Sequence, residues 1–100
     1  MASLITIWWR DIPMQVIARE GRNSAKRVLD KRFQFAVDKA AMNSGKKSYG
    51  DYIEEMKRAE RPCGDDIEAE ADAEVARLEA AYSKTVLHAR IASGGVGERL

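Results

Sequence analysis

Few residues in this 100-residue chain have the type and spacing that chemistry requires. A single cysteine, Cys63, a single histidine, His88, and an acidic run of Asp65, Asp66, Glu68 and Glu70 stand out. Cys63 falls just ahead of an expected helix start, where amide dipoles favour a thiolate, and Arg61 adds to that field. Asp65 and Asp66 oppose it. A nucleophilic thiol also needs a base, and the spacing withholds one: the 25 residues to His88 span about 40 Å if they form one straight helix. A Cys63-dependent redox or transfer activity is therefore kept only as an alternative.

Metal and phosphate chemistry have less support. One cysteine and one histidine do not make the four-ligand set of structural zinc, and the acidic run lacks the alternating loop of a calcium site. No GxxxxGK[ST] or GxGxxG occurs, and Gly94-Gly95-Val96-Gly97 opens no helix. We expect no metal, no cofactor and no catalytic residue.

The elements that would position a functional surface begin with the run LITIWWRDIPMQVIAR, residues 4–19. Its β-branched and aromatic density predicts two strands joined by a turn at Ile12-Pro13, with Gly21 ending the second. Alternation sends Ile5, Ile7 and Trp9 to one face and Leu4, Thr6 and Trp8 to the other, so both faces of the hairpin are apolar. A two-stranded hairpin is marginal alone and must pack on helices, on a partner or on a second copy of itself.

Everything after the hairpin reads as helix. The first, capped by Asn23 or Ser24, runs to about residue 43, burying Ala25, Val28, Leu29, Phe33, Ala36, Val37 and Ala40 at three-four spacing. Arg22, Lys26, Arg27 and Lys31 give it a basic face. Ser44-Gly45 and the polar residues 46–48 stop it. A second helix covers residues 49–60 through Tyr49, Tyr52, Ile53 and Met56. Arg61-Pro62-Cys63-Gly64 breaks the chain, and Asp65 caps a third helix reaching Ile91, with Glu68 as the second half of a capping box and Asp65, Asp66, Glu68 and Glu70 as its acidic face. The expected fold is α+β: an N-terminal two-stranded antiparallel hairpin packed on about three helices, ββααα. Residues 1–92 form one compact domain and residues 93–100 a flexible tail.

A hydrophobic content of 45% suits one small domain. No apolar run reaches the ~20 residues of a membrane span, the start is unlike a signal peptide, and a lone cysteine agrees with a reducing compartment, so the expectation is a cytoplasmic protein without membrane contact. The net charge of +1 hides an uneven distribution. Residues 1–50 carry ten Lys and Arg against four Asp and Glu, and residues 51–100 carry seven against twelve. Such blocks suit steered docking more than binding of a polyanion.

The strings WWRDIPMQVIAR, GRNSAKR and RPCGDDIEAEADAEVARLEA resemble the small domain known as the virulence-factor domain, over residues 4–92. A similar domain in conserved virulence factor C proteins is joined to an iron-sulfur-scaffold-like domain and helical repeats. Stand-alone bacterial forms resemble accessory products of one-carbon and methyl-transfer loci, including those of methylenetetrahydrofolate reductase. The resemblance implies an accessory role and assigns no reaction.

The function expected from these features is a non-catalytic accessory or interaction subunit that engages a protein partner, or a second copy of itself, through Trp8, Trp9, Arg10, Ile12 and Gln15. A nucleic-acid-binding module using Arg22, Lys26, Arg27 and Lys31 is a disfavoured alternative, because the acidic helix would repel or neutralise it.

Overall fold

The computed structural model describes residues 1–45 and 48–100. Strands β1 (Ala2–Trp9), β2 (Ile12–Glu20) and β3 (Asn23–Val28) lead into helices α1 (Lys31–Asn43) and α2 (Tyr49–Glu54). Strand β4 (Met56–Cys63) follows, then helices α3 (Ile67–Ala81) and α4 (Lys84–Ala92). The protein is α+β as expected, but the hairpin is the centre of a four-stranded antiparallel sheet of order β3-β2-β1-β4.

The hairpin turns at Arg10-Asp11 rather than at Ile12-Pro13, because Trp9 already pairs with Ile12. Arg10 supplies the positive φ, 51°, that a tight two-residue turn demands. Pro13 faces Trp8 beside a bulge that leaves Met14 as the extra residue between Pro13 and Gln15. Gly21, at φ 59°, opens the second turn, so β2 ends there as the sequence indicates.

Two segments without an expected strand are strands. Residues 23–28, expected as helix, pair with β2, and residues 56–63, expected as the end of a helix and a breaker, pair with β1 from Met56↔Trp9 to Cys63↔Ala2. The unpaired edges of the hairpin leave backbone donors and acceptors to satisfy, and that demand outweighs weak local helical spacing. The Pro62 ring is tolerated because β4 is an edge strand.

Helix α1 therefore starts later than Asn23 or Ser24 allow. Its cap is Asp30, whose carboxylate accepts from the Arg32 amide at 3.3 Å. It stops at Ser44 and Gly45 as expected, while the Lys46-Lys47 part of the stop lies outside the described residues. Helix α2 ends at Glu54 instead of near residue 60. Asp66, not Asp65, caps α3 by accepting from the Ala69 amide. The expected single third helix breaks at Tyr82, whose φ of −101° and ψ of 73° leave the helical region, and Ser83 then caps α4 through the Val86 amide.

That break folds α4 back onto α1 and turns Tyr82 into the core, edge-on to both Trp8 and Phe33 at ring separations of 6.1 and 6.2 Å. Helix α3 crosses β2 and β3, and α1 packs on β2. Leu4, Trp8, Val16, Ala18 and Ala25 meet Phe33, Val37, Ala71 and Leu78 in one cluster beneath these helices. Residues 93–100, expected as a flexible tail, lie against the β1–β2 turn. Gly95 accepts from the Asp11 amide, Gly97 donates to the Asp11 carboxylate, and Leu100 donates to the Tyr82 hydroxyl.

Candidate functional site

With α1 and α3 packed on one face, the sheet presents the other. Alternation and register place three rows of side chains there: Ser24, Arg19, Ser3 and Pro62; Lys26, Ile17, Ile5 and Glu60; Val28, Gln15, Ile7 and Arg58. Ile5, Ile7 and Ile17 belong to no part of the helix-covered core. Ile5 is only 2% exposed, so its neighbours in the face shield it, while Val28 at the edge is 72% exposed. The isoleucines thus form a short apolar strip rimmed by the cations Arg19, Lys26 and Arg58. The one carboxylate of the face, Glu60, is 3.6 Å from Arg58, which leaves the rim positive.

The residues expected to touch a partner have mostly gone inward. Trp8, Trp9 and Ile12 are buried, which removes them from any contact with the folded surface. Trp9 follows Ile5 and Ile7 by alternation, but beyond the bulge it is covered by α2 and the C-terminal segment. Its indole donates to the Tyr52 carbonyl at 2.9 Å and stacks obliquely on the Tyr52 ring. Arg10, half-buried, lies on the Trp9 ring, donates to the Gly94 carbonyl and pairs with Glu55 at 3.3 Å. Gln15 alone of that set lies on the open face. The sequence signal for this face is the alternation Ser3-Ile5-Ile7 and Gln15-Ile17-Arg19.

The expected basic helix face does not exist as such. Arg22 sits in the β2–β3 turn, Lys26 on the open face, Arg27 on the covered face and Lys31 at the start of α1. Arg27 reaches α3, donating to Asp72 at 2.8 Å and to Glu68 at 3.4 Å, and the Asp72 hydrogen bond and charge raise its affinity for the proton further. Acid from the second half of the chain thereby neutralises base from the first. Glu74, buried under the sheet, accepts from Arg77 at 2.8 and 2.9 Å and lies 3.6 Å from Arg61. The Arg77 hydrogen bonds hold its carboxyl below the ordinary range although burial acts the other way.

Cys63 ends β4, half-buried opposite Ala2. Burial pushes its thiol up, and Glu70 adds to the effect more than Arg61 relieves it, the reverse of an activated nucleophile. His88 lies on α4 next to Leu87 and beside Arg32 and Phe35 of α1, in a part of the molecule away from Cys63. Of the acidic run, Asp66 is a cap and Glu68 an ion-pair partner, and the Glu70 carboxylate lies over Gly64. Among the described residues no three His, Cys, Asp or Glu side chains come together in a group that could hold a metal ion. No helix is long and apolar enough to cross a membrane among the described residues.

No curated protein and no solved structure matches the chain. A family model described as Virulence factor matches residues 7–91, from the middle of β1 to the last turn of α4. That span takes in the turn, both edge strands and all four helices, so the chain belongs to the Virulence factor family.

Proposed function

We propose that this protein is a non-catalytic accessory domain that docks on an acidic protein surface through the open face of its sheet. The observation that carries the reading is the partly exposed pair Ile7 and Ile17, backed by the buried Ile5, inside a rim of Arg19, Lys26 and Arg58. An apolar centre within a polar rim is the usual anatomy of a recognition surface, and the charges steer encounter and fix orientation. Two copies face to face would bring like charges together, and the hairpin edges are already occupied by β3 and β4, so an acidic partner fits better than self-pairing. Nucleic acid fits less well, since single strands are held by aromatic platforms and this face has none.

The family resemblance supports placing that partner among one-carbon enzymes, a methylenetetrahydrofolate reductase or a corrinoid-linked methyl transferase. The test is co-purification from native extract and activity on mixing. Wild-type protein is expected to associate with the enzyme and raise its activity, Arg19→Glu with Ile7→Glu to do neither while remaining folded, and Cys63→Ser to behave as wild type. Full activity of the sheet-face variant, or its loss in Cys63→Ser with the fold intact, would refute the reading.

A further inference from the structure

A second surface, on the opposite side of the molecule from the open sheet face, is built between α1 and α4. Side-chain hydrogen bonds hold α1 to α4 at one end and to the end of α3, just ahead of α4, at the other. The Asn43 side chain donates to the Ile91 carbonyl at 3.0 Å, and the Arg32 guanidinium donates to the carbonyls of Glu79 and Tyr82 at 2.6 and 3.4 Å. Between the ties the helices part over a groove of about 260 Å³, with Phe35, Ala36, Leu87 and Ile91 as its apolar wall and Arg32, Lys84 and His88 around it. Phe35 faces away from the core and is 58% exposed. The Lys39 ammonium approaches the same ring at 5.5 Å.

The charge around this groove has one sign. No carboxylate lines it. Among the described residues Lys84 makes no ion pair, whereas Arg32 is already held by Asp30 at 3.2 Å. Lys84 is also the first residue of α4, where the free amides and the helix dipole favour an anion. The groove has room for a small aromatic body, since an enclosed apolar cavity of about 150 Å³ already holds benzene.

We propose that the α1–α4 groove binds a small organic anion, an aryl or short-chain carboxylate, with its apolar body against Phe35, Leu87 and Ile91 and its carboxylate directed to Lys84. The apolar wall supplies affinity, and Lys84 discriminates charge. The free protein, titrated with 2-naphthoate and with its neutral isostere 2-naphthamide, tests this by methyl and amide NMR. Saturable shifts are expected at Leu87, Ile91 and Ala36, with naphthoate bound about tenfold more tightly than the amide, the difference one charge-assisted hydrogen bond makes. Lys84→Gln should reduce the naphthoate affinity to that of the amide. Phe35→Ala should weaken both probes alike. Both side chains are exposed, so unchanged melting temperatures should accompany these effects. Equal binding of the two probes, an affinity for naphthoate unaffected by Lys84→Gln, or no saturable shift at millimolar ligand would overturn the proposal.

Discussion

At the scale of single residues, Trp9, Gly95 and Glu74 are the positions where small changes should cost most. Trp9 is fully buried, and Gly95, at φ 93°, lets the backbone pass so close that an added Cβ would sit 2.8 Å from the indole. Gly95→Ala combines a steric clash with a left-handed backbone, so a loss of about 1–3 kcal/mol is expected in urea unfolding. Trp9→Phe keeps an aromatic ring but removes the indole donor to the Tyr52 carbonyl, which keeps the Glu55 amide, so a loss of about 0.5–1.5 kcal/mol from the hydrogen bond is expected, read the same way. Glu74 gives a prediction with a sign. Its carboxyl is held below the ordinary value of 4.5, so its stabilising effect is present above the ordinary carboxylate range and is lost as pH falls through the lowered value. Glu74→Gln should therefore cost about 1–3 kcal/mol at neutral pH and progressively less in acid. A deficit that stayed constant from neutral pH to about pH 3 would show that the charge contributes nothing.

At the scale of elements, the central strands were legible and the edge strands were not. Residues 4–18 announce themselves through alternating isoleucine, valine and tryptophan. Residues 23–28 and 56–63 read as NSAKRV and MKRAERPC, polar and charged, and the second carries a proline. An exposed edge that is rich in charge resists pairing with other chains, so the property that protects these strands also hides them from a search for apolar alternation. Lys26 and Arg27 look like neighbours on a basic helix, yet on a strand they point to opposite faces, and only Lys26 remains at the open surface. The break between α3 and α4 has no glycine or proline to mark it. Ser83 was the available signal, a capping residue inside an otherwise apolar-periodic run. Ser83→Ala should cost about 0.5–2 kcal/mol and loosen α4 on α1, visible as faster amide exchange across α4 than in α3. Equal exchange in the two helices would mean that they behave as one unit.

At the scale of the whole molecule, the opposing charge blocks of the sequence do not remain as two ends. Arg27 meets Glu68 and Asp72 and Arg10 meets Glu55 across the two halves, while Arg61 and Arg77 meet Glu74 within the second half and Arg99 meets Asp11 beside Trp8. Folding pairs part of the asymmetry across the two halves and leaves a positive rim on the sheet face, which was not readable without the register of four strands. The expectation that the hairpin holds more apolar surface than its helices can cover fails at the tryptophans, which are buried, as is Ile5; only Ile7 and Ile17 stay partly exposed on the open face. The central claim is that Ile7 contacts another protein. A photo-crosslinking amino acid at position 7, compared in the native host with one at Ala76 on the outside of α3, tests it most directly. The account predicts one discrete adduct from position 7 that Arg19→Glu abolishes, and none from position 76. Adducts from position 76 alone, or an adduct from position 7 that persists in Arg19→Glu, would contradict it.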